Sequence, residues 1–208
     1  MVYFYYNFFG WYLSDEQLQI ENAFEKGITA FLAGIVFILY VHLAYFPKLL
    51  STPLIPTFPP LIMLFSLNVG LGLGVTNLYV LQIYQLPSFL NPLRSVELGF
   101  IFIMISFILI YLSVGKFRNH DEDPNPTTET YGLITTGVFN YVRNPMYLSL
   151  ILFQFGCGLA LSFLHISLMS LATGILLHFF VVLREEKYLQ MKFGLKYDTY
   201  VDKSRRWI

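Results

Sequence analysis

The sequence predicts an all-α polytopic membrane protein of about five transmembrane helices, the last two forming a C-terminal hairpin followed by a short tail. Three observations carry this expectation. Of 208 residues, 56% are hydrophobic and only 12% charged, where a soluble domain carries about 25% charged residues. Four stretches, 27–46, 61–83, 98–114 and 144–183, contain no formal charge. The last is forty residues long, which as one helix would measure about 60 Å, twice an apolar bilayer core of about 30 Å. It must therefore double back, with a turn near Ser162 to His165.

In chain order, residues 1–26 read as an interfacial segment. Aromatics such as Tyr3, Phe4, Tyr5, Tyr6, Phe8, Phe9, Trp11 and Tyr12 suit the headgroup zone, and Asp15, Glu16, Glu21 and Glu25 suit water. The first span (27–46) is followed by a proline-rich loop, 47–60. The second span (61–83) holds Gly70, Gly72 and Gly74. No strand precedes them, so they fit close helix packing, with Gly70 and Gly74 as a small-xxx-small pair, rather than phosphate binding. A short loop, 87–95, leads to the third span (98–114). Residues 115–131 form the long polar stretch, with Lys116, Arg118, His120, Asp121, Glu122 and Asp123. Consecutive residues cannot all aim at one ion, so this reads as a solvated loop, and no metal site is expected. The hairpin supplies spans four and five. No internal repeat appears, and 1–208 reads as a single integral-membrane domain.

Lysine and arginine are unevenly distributed. With the first loop, residues 115–143 and the tail on one side, that side carries eleven of them, and the other only Lys26 and Arg94. The bias makes the first side cytosolic, with the N-terminus outside and the C-terminus inside. A net formal charge of zero and the lack of a basic aromatic surface give no footing for nucleic acid. Cys157, the single cysteine, excludes an intramolecular disulfide and reads as a packing residue. Residues 1–13 lack the basic start and cleavage site of a signal peptide. Asn125-Pro126-Thr127 fails as a glycosylation acceptor, and no lipidation box closes the sequence.

Doubling back brings the hairpin's flanks, Arg143 and Glu185-Glu186, to one water–lipid boundary, where a cation and two carboxylates form a candidate binding site. Asn144 precedes a proline and is expected to be extended, with Pro145 opening helix four, where its missing N–H costs nothing. The positive end of that helix, together with Arg143, suits a carboxylate or phosphate; Arg143 serves equally as a headgroup anchor. Gly156 and Gly158, flanking Cys157, offer either close helix packing or bare backbone for a flat ligand. Glu185 and Glu186 are expected to close helix five, at the wrong end of its macrodipole and beside lipid. That placement calls for ribose hydroxyls, an ammonium or sulfonium, or a salt bridge with Arg143, Arg184 or Lys187. His178, seven residues before Glu185, is expected on the same helical face, either lining the site or packing.

Taken in order, these motifs resemble the integral-membrane methyltransferases that include isoprenylcysteine carboxyl methyltransferase and phosphatidylethanolamine N-methyltransferase. That pattern is His-x-Leu-Val-Thr-x-Gly-x-Tyr-x-x-x-Arg-His-Pro-x-Tyr, a helical hairpin, then Glu-Glu and Phe-Gly-x-x-Tyr-x-x-Tyr. Matching positions here are Leu133, Thr135, Gly137, Arg143, Pro145, Tyr147, Gly156, Glu185, Glu186, Phe193, Gly194, Tyr197 and Tyr200, all within 131–200. Gly156-Cys157-Gly158 is similar to the Gly-x-Gly that the phospholipid enzymes pair with their Glu-Glu.

The resemblance implies binding of S-adenosyl-L-methionine at the cytosolic end of the last two helices. Its contacts would be Tyr131, Gly132, Leu133, Ile134, Phe139, Asn144, Pro145, Met146, Tyr147, Gly156, Gly158 and Glu185. It also implies methyl transfer to a membrane lipid or lipidated acceptor. Arg143 would bind the cofactor's carboxylate or the acceptor's anionic head, Glu186 would orient the cofactor or pair with Arg143, and Tyr147 would line the pocket. Tyr131 stands where the isoprenylcysteine enzymes have histidine, Phe139 replaces a tyrosine, and Asn144 replaces the histidine of Arg-His-Pro. Asparagine carries no proton at neutral pH. Val181 stands where the carboxyl methyltransferases place an arginine, which argues against a free carboxylate as acceptor. Membrane sterol reductases, which share a similar hairpin and use a nicotinamide cofactor, and a non-enzymatic membrane scaffold are the alternatives. The reductases are longer, with more spans.

Overall fold

The computed structural model describes residues 1–14, 20–49, 55–125 and 128–208. Asp15 and Glu16, the side chains of Glu21 and Lys48, and the Pro126-Thr127 pair of the rejected acceptor site lie outside the described residues. The helices are α1 (Val2–Leu13), α2 (Ile20–Leu49), α3 (Pro59–Thr76), α4 (Val96–Asn119), α5 (Pro145–Ala160), α6 (Leu164–Leu177), α7 (Leu183–Phe193) and α8 (Leu195–Lys203). Four helical rods among the described residues are long and apolar enough to cross a membrane: Asn22–Tyr45, Pro59–Leu81, Val96–Asn119 and Leu164–Phe193. The fifth pass, α5, has 16 residues, or about 24 Å. This is the polytopic helical membrane architecture expected. In space the order is α2, α3, α6, α5, α4, with α1 beside α2.

Local chemistry fixes most boundaries. Prolines open α3 and α5 at positions whose N–H has no helical acceptor. The Ser95 hydroxyl accepts from Leu98 N to cap α4, with Glu97 in its first turn and Lys116 and Arg118 in its last. The α5–α6 turn falls at residues 161–163, where expected. Phe163 N donates to Gly158 O at 2.8 Å and Ser162 N to Leu159 O at 2.9 Å, while Ser162 takes the left-handed conformation at φ 53°. That is a helix-ending Schellman arrangement.

The glycines of α3 do pack helices. A Cβ on Gly70 would come within 2.9 Å of His165 O, one on Gly72 within 2.7 Å of Phe31, and one on Gly74 would overlap the Phe163 ring. So α3 lies against α6 on one face and α2 on another. Deep in the bundle, Gln154 Nε2 donates to Ile166 O at 3.2 Å and to Ser66 Oγ at 3.4 Å, and its Oε1 accepts from Thr173 Oγ1 at 2.5 Å. This polar clip joins α3, α5 and α6 where water is excluded. Gln154→Ala is expected to lower the melting temperature in detergent, because interhelical hydrogen bonds of this kind contribute roughly 1 kcal/mol or more and their partners would be stranded.

Three expectations are corrected. First, not every aromatic of residues 1–26 is a surface anchor: α1 packs beside α2 and reaches α3 through side chains. Tyr5 donates to Asn68 Oδ1, and Phe8 and Phe9 join Leu71, Val75, Phe163 and Ile166 in a buried cluster. Phe8 and Phe9, read as headgroup anchors, thus serve as core, while Tyr3, Phe4 and Tyr6 stay exposed, since rings suit either role. Second, α2 continues through Pro47 to Leu49 instead of ending at Phe46. A proline in the final turn forfeits one hydrogen bond where the ladder is ending. Third, Glu185 and Glu186 do not close a helix. The rod runs on to Phe193, so their charge marks where the helix leaves lipid, and the macrodipole argument does not apply.

Candidate functional site

The cleft lies at the end of the bundle where α5 begins. Its walls come from Phe58, Pro59 and Pro60 at the start of α3, Ile110 and Phe117 of α4, and the loop residues Asp123, Pro124 and Asn125. Phe139, residues 143–147, Leu150 and Glu185 complete it, around a cavity of about 260 Å³. Ile110 stands nine residues before Asn119 in α4, so the wall reaches about 13 Å along the helix from its polar end.

Its central contact joins the two halves of the hairpin. Tyr147 OH donates to Glu185 Oε2 at 2.8 Å. Tyr147 is buried on a cluster of Ile55, Ile62, Leu177, Val181 and Val182. Glu185 lines the cleft, and its other oxygen, Oε1, has no hydrogen bond among the described residues. Pro145 opens α5 after Asn144, whose backbone (φ −120°, ψ 52°) is non-helical but short of fully extended. Asn144 gives no side-chain cap, so the N–H groups of Met146 and Tyr147 have no intrahelical acceptor and sit in the cleft wall.

Arg143 and Glu186 pair at 3.3 Å, with side chains only 9% and 14% exposed. Arg143 Nη1 also donates to Ser204 O and Val201 O. Glu186 in addition takes three hydrogen bonds from Arg206. Arg206 is the residue that sequence reasoning missed; it follows the motifs and carries no spacing signal. Hydrogen bonding to Glu186 raises the pKa of its guanidinium above the ordinary value. Of the two pairs only Arg143–Glu186 is buried on both sides, and removing one partner of such a buried pair costs about 3–5 kcal/mol.

The remaining anticipated residues fall in two groups. Ile134 and Phe139 are buried, and Phe139 packs edge-on against Phe117 with ring centroids 5.7 Å apart. Its carbonyl accepts from Tyr200 OH at 2.7 Å, and burial pushes the Tyr200 phenol up to about 12. Tyr131 and Gly132 give their N–H groups to Glu122, and the Tyr131 ring lies outward, near Lys192. Glu122 is therefore buried and bonded, unlike Arg118, His120, Asp121 and Asp123 around it, which are exposed as a solvated loop would have them. Neither Tyr131, Gly132, Leu133 nor Ile134 lines the cleft. Gly156 and Gly158 lie deeper in α5: a Cβ on Gly156 would meet Gly99 O at 2.7 Å, and one on Gly158 would overlap Ser167 N. Both glycines have protein backbone against them.

His178 is turned away from Glu185. It borders a lateral groove with Leu148, Ile151 and Trp207, because a π turn over His178–Val182 interrupts the helical register between them. Among the described residues no group of three or more His, Cys, Asp or Glu could hold a metal ion.

Fold and site together define an all-helical membrane protein with a polar-mouthed cleft at one end of its bundle. The family model described as phospholipid methyltransferase matches residues 95–196, from α4 through the start of α8. Over these residues, just under half of the chain, the sequence is similar to that family. No curated protein and no solved structure matches the chain.

Proposed function

We propose that the cleft binds S-adenosyl-L-methionine and that the protein transfers its methyl group to a lipid acceptor in the adjoining leaflet. The observation that carries this is the Tyr147–Glu185 hydrogen bond, which joins both halves of the motif in one cleft wall. The residues present suit such a ligand. Glu185 Oε1 is an open acceptor for an amine or ribose hydroxyls, the N–H groups of Met146 and Tyr147 are open donors for a carboxylate, and Phe58, Phe117 and Phe139 offer flat apolar surface.

When bound, S-adenosyl-L-methionine would supply a methyl group on a sulfonium, with the neutral thioether of S-adenosylhomocysteine as the leaving group. The chain's own part is to position and to exclude water. Tyr147 holds the Glu185 carboxylate in place, and the apolar walls shield the cleft. The acceptor enters between the start of α3 and α4, which contribute Pro59 and Pro60, and Ile110 and Phe117, to the walls. Val181 lies in the apolar cluster beneath Tyr147, and Arg143 is engaged by Glu186 and two carbonyls. With Asp123 and Glu185 in its wall, the cleft favours a neutral or cationic acceptor, such as a phospholipid amine, over a carboxylate. The cleft end faces the cytosol, by the lysine and arginine bias.

Calorimetry in detergent with S-adenosylhomocysteine and with NADPH tests this reading. Binding of the first and not the second is expected. NADPH binding alone would replace the reading with a reductase, and binding of neither with a scaffold. Mass spectrometry of lipids that gain a labelled methyl group in membranes containing the protein identifies the acceptor.

A further inference from the structure

The residues after α8 hold the cleft from behind. Arg206 Nε donates to both carboxylate oxygens of Glu186, at 3.0 and 3.1 Å, and its Nη2 donates to Oε2 at 2.7 Å. Arg143 approaches the same carboxylate from the other side. Both oxygens of Glu186 are thereby occupied, by two guanidinium groups for one carboxylate. A planar fork meeting a carboxylate in this way fixes orientation as well as charge, which a lysine ammonium does not.

The main chain around Arg206 grips the entrance of α5 in turn. Arg143 N donates to Arg205 O at 2.7 Å, Arg143 Nη1 to Ser204 O, and Asn144 Nδ2 to Arg206 O at 3.0 Å. Trp207 then packs against the apolar cluster that carries Tyr147. Residues 204–207 thus form a strap from α7 to α5, fastened to Glu186 at one end and to Arg143 and Asn144 at the other.

We propose that Arg206 is a positioning residue of the cleft: by clamping Glu186 it fixes the strap that keeps Arg143 and Asn144 in the cleft wall. Glu185 is left as the α7 carboxylate open to a ligand. Glu186 on this account touches no ligand; its work is to anchor the strap. The effect on ligand affinity rests on the reading of the cleft as the S-adenosyl-L-methionine site, whereas the strap itself does not.

The test uses the full chain in detergent with Arg206→Ala, Arg206→Lys, Glu186→Gln and the Arg206→Ala/Glu186→Gln double variant. The ligand-independent readout is modification of Arg143 by phenylglyoxal, followed by mass spectrometry. Arg143 is 9% exposed, so it is expected to react slowly in the parent and at least about 5-fold faster in Arg206→Ala, with a smaller change in Arg206→Lys. Affinity for S-adenosylhomocysteine is expected to fall about 10-fold in Arg206→Ala and to be partly restored by lysine. Arg206→Ala should add nothing on the Glu186→Gln background, because residues acting through one contact are non-additive. Unchanged Arg143 reactivity in Arg206→Ala would overturn the proposal. So would equal losses in the alanine and lysine variants that track the melting temperature, since that is support of the fold alone. A parent protein that binds no S-adenosylhomocysteine, while Arg143 reactivity still follows Arg206, would remove the cofactor reading and leave the strap standing.

Discussion

Glu185→Ala is expected to weaken S-adenosylhomocysteine binding by at least about 100-fold, or about 2.7 kcal/mol, while the protein still inserts and folds. The size follows from geometry. Tyr147 holds Oε2, and Glu185 lines the cleft, so alanine removes a preoriented acceptor. Hydrogen bonds to charged groups contribute about 1.5–3 kcal/mol each, and a carboxylate can accept two from a ribose diol or an ammonium. Glu185→Gln keeps the shape and loses the charge, and should fall between parent and alanine. Titration calorimetry gives the affinities, and thermal unfolding in detergent gives the control. An alanine variant with parent-like affinity would take Glu185 out of the site and the proposed chemistry with it.

The largest effect on folding is expected from Gly158→Ala. A methyl there would overlap both Ser167 N and Ser167 Oγ. The Ser167 hydroxyl could turn aside but the backbone N cannot, so α5 and α6 must separate to admit it. Gly158 also supplies the carbonyl that accepts from Phe163 N and closes the turn between them. Overpacking typically costs about 1–3 kcal/mol and occasionally more, and this rigid contact falls at the upper end, enough to cut the folded yield sharply. Gly115→Ala is the matching control: nothing lies within 4 Å of its added Cβ, and alanine is the better helix former by about 1 kcal/mol. Size-exclusion profiles and melting temperatures compare the two. A melting temperature for Gly158→Ala no lower than that of Gly115→Ala would mean that this helix pair is looser than its geometry.

The hairpin was legible because forty uncharged residues cannot cross a bilayer once. From that alone, the residues before Pro145 and after Leu183 had to share one end of the bundle, which is where Tyr147 and Glu185 meet. The turn at Ser162 and the packing role of Gly70 and Gly74 were legible for similar reasons of length and size. The face of His178 was not. Seven residues bring an α-helix back to nearly the same side, but one extra residue in a π turn rotates the next stretch of helix by about 100°. Nothing in His178-Phe179-Phe180-Val181-Val182 announces such a turn, because it is set by packing. Arg206 was hidden for a different reason: its partner lies twenty positions earlier, and only the folded tail reveals the pairing. Likewise the aromatics of α1 satisfy a headgroup zone and a helix interface equally well, so composition alone could not choose between them.

The placement of α1 has a consequence for the surrounding lipid. Its contacts run from Asn68 and Val75 outward to Tyr79, while its first residues, Met1 and Phe4, border a groove on α2 with Val36 and Tyr40. Among the described residues Tyr40 and Leu43 of α2 nevertheless remain exposed. A helix shielded in this uneven way keeps apolar surface for acyl chains nearer the end that holds the cleft.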